Sequence, residues 1–282
     1  MSRIPGFALG IYEKALPLAV EWPERLAAAA EAGFDYLEMS IDPSEERLNR
    51  LNWSYAKRCE IRHISEETGL PIRSICLSAH RDYPLGSESP VVRSKGLAIM
   101  HSAISLASDL GVRIIQVAGY DTRDGPSTES SRQRYLEAIH QSVTWASENA
   151  ILLGLENQEQ GFVDSPRTAV KIIRTIDSPY LGLYMDTGNL IVNGCDVATE
   201  IEAAKGHLVA VQVKDARPGQ PRRVPFGEGT VLFHSVFKRL MTNGFQGSVT
   251  IEMWNDNRPE SIDICTRARE WVAQQLAAAR LA

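Results

Sequence analysis

The run ILLGLE (151–156) is short, apolar and closed by a carboxylate, and three later runs follow the same plan: LGLYMD (181–186), LVAVQVKD (208–215) and SVTIEMW (248–254). Their polar members Glu156, Asp186, Gln212 and Glu252 are 30, 26 and 40 residues apart, about 32 on average. That interval is the length of one strand-helix unit of an α/β barrel, a fold whose active sites lie at the C-terminal ends of the strands.

Working outward, eight β-rich runs are legible: Phe7–Tyr12, Tyr36–Ser40, Ile72–Ser78, Arg113–Gly119, Ile151–Asn157, Leu181–Asp186, Leu208–Lys214 and Ser248–Met253. Several are nearly continuous in Val, Ile and Leu, as in strands of a parallel sheet buried on both faces. Amphipathic segments alternate with them: Trp22–Ala32, Ser54–Thr68, Ser94–Leu110, Ser131–Asn149, Pro166–Thr175, Val197–Ala204, Phe233–Thr242 and Ser261–Ala279. Pro23 sits in a first helical turn, and Gly33, Gly69 and Gly111 follow helix ends, the usual punctuation. Right-handed βα units close naturally at eight. A doubly wound sheet would carry a Gly-rich phosphate turn, and neither GxGxxG nor GxxxxGK[ST] occurs. The pattern predicts a single (β/α)8 barrel domain spanning residues 1–282.

Composition agrees. The 282 residues are 44% apolar and 23% charged, with 30 basic and 35 acidic side chains for a net charge of -5. Such a chain buries a large core without disulfides, and its charge disfavours bulk nucleic-acid binding while permitting a local basic pocket. Cys59, Cys76, Cys195 and Cys265 form no CxxC or zinc spacing and read as reduced thiols. No stretch approaches membrane-spanning length or a secretory leader. A cytoplasmic protein with neither membrane nor nucleic-acid partner is expected.

An acidic residue at a strand end commonly caps the next helix. Four consecutive units ending in oxygen-bearing side chains weaken that explanation. Gln212 shares parity with Ala210 and Lys214, opposite Val209, Val211 and Val213, so its amide needs a buried partner: a metal, a water or a ligand. Three carboxylates at one barrel mouth repel unless a cation lies between them. The chemistry suited to the arrangement is proton abstraction beside a carbonyl, with one glutamate removing a proton and a second returning one from the other face. Glu156 and Glu252 are the candidates for that pair.

The motifs GIYEKALP (10–17), EMSID (38–42), CLSAHRDYPLGS (76–87), IQVAGYD (115–121), YMDTGN (184–189), GHLVAVQVKDARPG (206–219), VPFGEG (224–229) and IEMW (251–254) run from first strand to last. Through them the chain resembles the L-ribulose-5-phosphate (L-xylulose-5-phosphate) 3-epimerases of the xylose-isomerase-like barrel superfamily. The resemblance implies epimerisation at C3 of a ketopentose phosphate, one divalent metal ion held by Glu, Asp, His and Glu, and a homodimer. Carried over, the metal ligands fall on Glu156, Asp186 and Glu252, the two glutamates doubling as acid and base. The histidine of the family's VHVKD is Gln212 here. An amide oxygen is a harder, weaker donor than imidazole, so among Mn2+, Mg2+, Zn2+ and Co2+ the harder ions are favoured. His207, five residues earlier on an extended strand, is too far away to substitute.

Phosphate-binding candidates in the seventh loop are Lys214, Arg217, Arg222 and Arg223, since barrels often hold phosphate after strands seven and eight. His80 and Arg81 in the third loop are candidates for substrate contact, Glu38 for orienting substrate hydroxyls, and Tyr12 and Trp254 for pocket walls. His63, His101, His140 and His234 fall in or beside helices and receive no role. Three other functions share the fold: epimerisation or isomerisation of an unphosphorylated ketose, sugar-phosphate binding without catalysis because of Gln212, and DNA-repair endonuclease activity. The last uses a histidine-rich metal cluster, which the scarcity of strand-end histidine opposes.

Overall fold

The computed structural model describes residues 5–123, 125–255, 258 and 260–281. Eight parallel strands close a barrel: β1 (Phe7–Tyr12), β2 (Tyr36–Ile41), β3 (Ile72–Leu77), β4 (Ile114–Ala118), β5 (Leu152–Glu156), β6 (Leu181–Asp186), β7 (Leu208–Val213) and β10 (Gly247–Ile251). Around the ring their order is β1, β10, β7, β6, β5, β4, β3, β2. Two further strands, β8 (Asp215–Arg217) and β9 (Gln220–Val224), form an antiparallel hairpin after β7, turning at Pro218 and Gly219. The sequence reading had only a basic loop there.

The helices are α1 (Trp22–Glu31), α2 (Glu45–Leu48), α3 (Tyr55–Thr68), α4 (Pro90–Leu110), α5 (Glu129–Glu148), α6 (Pro166–Ile176), α7 (Thr187–Val192), α8 (Val197–Ala203), α9 (Phe233–Thr242) and α10 (Ser261–Leu281). Side-chain caps explain several starts. Ser54, Ser89 and Ser165 accept N–H bonds from the third residue on, and Thr128 with Ser131 forms a reciprocal capping box. The Ser89 cap and Pro90 start α4 four residues before the expected Ser94. Two short helices, α2 and α7, were not anticipated. No helix among the described residues is long and apolar enough to cross a membrane.

Strand alternation divides the barrel into two environments. One parity, including Leu9, Ile11, Leu37, Met39, Val211, Val213, Val249 and Ile251, belongs to the apolar core shared with the helices. The other parity fills the interior with hydroxyls, amides and carboxyls. Tyr184 Oη donates to Glu38 Oε2 (2.5 Å), Ser74 Oγ donates to the same oxygen (2.7 Å), and Thr250 Oγ1 lies 2.7 Å from both Tyr184 Oη and Tyr36 Oη. Glycines give the two rings room: a Cβ on Gly10 would lie 2.2 Å from the Tyr36 ring, and one on Gly154 would lie 2.9 Å from Tyr184 Cβ. Barrels of this class usually stack branched aliphatic side chains there; this one has a hydrogen-bonded floor. At the first loop, Glu13 is fully buried and takes a bidentate pair from Arg50 at 2.6 and 2.8 Å. Burial would raise its pKa, but Arg50 and Arg25 hold the carboxyl below the ordinary range.

Candidate active site

Asp186 and Gln212 face each other across β6 and β7, and Gln212 is level with Thr250 of β10, two residues before Glu252. Glu156 ends β5 and Glu252 directly follows β10, its N–H bonded to Val213 O at 2.9 Å. All four expected side chains therefore occupy the C-terminal end of the barrel, and each is at most 8% exposed. Asp186 also does what a strand-end carboxylate ordinarily does: its Oδ1 accepts from Asn189 N at 2.8 Å and caps α7. That leaves Oδ2 for the site. Asn157 latches the neighbouring strand end, accepting from Asp186 N at 2.8 Å and donating to Asp186 O at 3.0 Å.

Lys214 is the unexpected centre of the arrangement. Its Nζ lies 3.1 Å from Asp186 Oδ2 and 3.0 Å from Glu252 Oε2, and the residue is 3% exposed. Burial alone would lower its pKa, but Asp186, Glu252 and Glu156 hold it above the ordinary lysine range. Glu156 Oε2 accepts a short hydrogen bond from Gln158 Nε2. Gln212 Oε1 accepts from Gln116 Nε2 at 2.5 Å, leaving Gln212 Nε2 without a partner. As described, then, the four expected ligands do not close on one point, and no group of three His, Cys, Asp or Glu among the described residues is arranged to hold a metal.

The donor set nonetheless fits a hard divalent ion. It offers three carboxylates and one amide, all oxygen donors. Apart from the Lys214 ammonium, neither Asp186 Oδ2 nor Glu252 Oε2 has a hydrogen-bond partner among the described residues. The site is also short of positive charge. Burial, then the neighbouring Asp186 and Glu252, push the Glu156 carboxyl well above its usual range against Lys214 and Arg81. Burial raises Asp186 to about 7, with Lys214 opposing and Glu252 adding to the rise.

Two cavities adjoin these residues. A narrow one of about 20 Å3 is lined by Tyr12, Cys76, Arg81, Gln116, Glu156 and Glu252. A larger one of about 140 Å3 is lined by Lys214, Arg223, Glu252, Trp254, Asn255 and Arg258. Glu252 and Trp254 belong to both. Arg81, Tyr12, Trp254 and Arg223, expected near the pocket, each line one or both of these cavities. Arg223 holds a left-handed backbone, φ +62°, a strained conformation that recurs at ligand clamps.

Other expected contacts lie elsewhere. His80 is 1% exposed, its Nε2 3.1 Å from Gly96 O of α4; burial lowers its pKa to about 4, so it packs as a neutral core ring. Arg217 lines neither cavity, its Nε donating to Glu228 O at 2.8 Å. Arg222 pairs with Glu159 and stacks over Trp254, supporting the wall. Glu38 is mid-strand, fully buried in the barrel floor and not at a strand end.

Sequence reasoning missed Gln116, Cys76, Asn157, Arg258 and Asp215. Asp215 Oδ2 accepts from Gly227 N and Gly229 N, both at 2.9 Å, and a Cβ on Gly229 would lie 1.9 Å from its Oδ1. The matching KD and GEG motifs carried that signal, because close backbone approach to a carboxylate needs glycine.

Burial raises Glu38 to about 7, with the Tyr184 and Ser74 hydrogen bonds opposing. The folded protein therefore keeps a proton there that an unfolded glutamate releases near 4.5. This contribution is present below about pH 4.5 and is lost as pH rises through 7. Glu38→Gln should gain stability over wild type by about 3 kcal/mol between pH 5 and pH 8. Urea unfolding at both pH values measures this; a pH-independent difference would show that Glu38 is ionised in the fold.

Residues 26–278 match the family model described as a xylose isomerase-like TIM barrel. The chain is 42% identical to the L-ribulose-5-phosphate 3-epimerase UlaE of Salmonella heidelberg strain SL476, over 97% of this chain and 96% of that protein. It is 42% identical to the enzyme of the same name from Escherichia coli K12, over 96% and 95%. Among solved structures, an L-ribulose 3-epimerase superposes with a TM-score of 0.80 at 20% identity, covering 97% of this chain and 96% of that one. A D-psicose 3-epimerase from Clostridium cellulolyticum H10 gives 0.82 at 16%, covering 95% and 99%. At those identities the structural likeness speaks for the fold.

Proposed function

The chain belongs to the xylose isomerase-like TIM barrel family and, within it, to the L-ribulose-5-phosphate 3-epimerases, and from that membership we propose that it epimerises a ketopentose 5-phosphate at C3, interconverting L-ribulose 5-phosphate and L-xylulose 5-phosphate. The observation that carries the reading is the pair of carboxylates Glu156 and Glu252 at the mouth, three strand positions apart around the ring and lining one cavity.

Glu156, Asp186 and Glu252 would hold one divalent ion, with the Gln212 amide oxygen as the fourth donor; that set favours Mn2+ or Mg2+. What the ion supplies is Lewis-acid polarisation of the ketone and its neighbouring hydroxyl. The chain supplies the proton traffic. One glutamate takes the C3 proton as an enediolate forms, and the other returns a proton to the opposite face. Burial and its acidic neighbours push the Glu156 carboxyl well above its usual range, which suits it to the donating role in one direction. Arg81 faces the reacting end. The phosphate would sit in the larger cavity, whose lining includes Arg223 and Arg258 for charge and Asn255 as a polar wall. A cytoplasmic setting matches the four unpaired cysteines.

The test is conversion in D2O with Mn2+ or Mg2+, using both phosphorylated ketopentoses and their free sugars. Interconversion of the phosphates with one deuterium at C3 is expected, at a kcat/KM well above that of the free sugars. Preference for the free sugars would reassign the substrate. Binding without C3 exchange would make the barrel a sugar-phosphate binder.

A further inference from the structure

We propose that Lys214 is an internal counter-ion that occupies the metal position when the ion is away, so that divalent-ion binding is an exchange in which the ammonium leaves Asp186 and Glu252 for the adjoining phosphate cavity. This rests on the metal-dependent reading above. The side chain is built into its place. Gly188, in the first turn of α7, leaves a slot for its stem: a Cβ there would lie 2.4 Å from Lys214 Cγ and 2.9 Å from Cε. Thr187 fixes the backbone, its Oγ1 lying 3.4 Å from both Lys214 N and Lys214 O.

The two oxygens nearest the ammonium, Asp186 Oδ2 and Glu252 Oε2, have Lys214 Nζ as their polar neighbour and no other hydrogen-bond partner among the described residues. They are also the oxygens that would hold a divalent ion. An ammonium 3.1 and 3.0 Å from the same pair cannot remain beside a doubly charged ion between them. Lys214 already lines the 140 Å3 cavity with Arg223 and Arg258. A short swing of its terminal atoms therefore takes it from one carboxylate pair to the proposed phosphate end. Metal loading then adds a positive charge to that end, and by reciprocity anion binding there favours metal loading.

The experiment measures Mn2+ binding by calorimetry for wild type and Lys214→Met. In parallel, acetic anhydride labelling of Lys214 in the wild type is read by peptide mass spectrometry with and without saturating Mn2+. The expected results are Mn2+ binding on the order of tenfold tighter in Lys214→Met and labelling of Lys214 that rises when Mn2+ is added. Equal or weaker binding by the variant overturns the exchange while leaving the metal-dependent reading intact. So does labelling that stays constant or falls with Mn2+, a result that needs no variant to fold. Mn2+ binding by neither protein overturns both.

Discussion

Glu156→Gln and Glu252→Gln should each lower kcat for C3 epimerisation by about a thousandfold, the range general acid-base catalysis usually supplies. Glutamine keeps the side-chain volume and one ligating oxygen, so the change falls mainly on proton transfer. The two variants should not fail alike. Each retains one base, and one base suffices to remove and return a proton on the same face. In D2O, Glu156→Gln should exchange the C3 proton of one epimer without net inversion, and Glu252→Gln that of the other. NMR of the recovered ketose phosphates distinguishes these patterns. If both variants exchange both epimers, a single base serves both faces. If either retains epimerisation within about tenfold of wild type, its carboxylate is not in the proton path.

Gln212→His should tighten divalent-ion binding by about 10- to 100-fold and move preference toward Zn2+. Imidazole is a better donor to the later ions than an amide oxygen. The outer partner a ligating histidine needs is already in place. Gln116 donates to Gln212 Oε1 at 2.5 Å, and a reversed amide could accept a ring N–H, the contact that commonly fixes a metal-bound imidazole. Dissociation constants for Mn2+ and Zn2+, with kcat/KM at limiting metal, measure the effect. Unchanged affinity would mean that Gln116 and Gln212 form a settled amide pair outside the ligand sphere. The reaction would then depend on the three carboxylates alone.

The barrel was readable from the sequence because strand-length apolar runs and helical segments alternate at one interval, and local periodicity encodes both. The acidic strand ends were readable for the same reason. The hairpin of β8 and β9 was not, although Pro218 and Gly219 are a turn signal; its strands are short and polar, so neither carries a hydrophobic alternation. Gln116 meets Gln212 across 96 positions of sequence, and nothing local marks such a meeting. Lys214 was read as a phosphate ligand from its loop, whereas its parity with Gln212 turns it into the mouth beside Asp186. His80 shows the converse: a motif match drew attention to a side chain that packs beneath α4.

The Tyr36, Thr250, Tyr184, Glu38 and Ser74 chain has a bearing on how this barrel can be altered. It joins β2, β3, β6 and β10 beneath the carboxylates, and it exists only while residues 10 and 154 lack side chains. A substitution at either glycine displaces a tyrosine, and through Tyr184 the strand that carries Asp186. The residues that ring the larger cavity, on β9 and in the segment leading to α10, contact no member of that chain in the hydrogen bonds described. A library that randomises the rim while fixing the floor should therefore vary ligand contacts without dismantling the site.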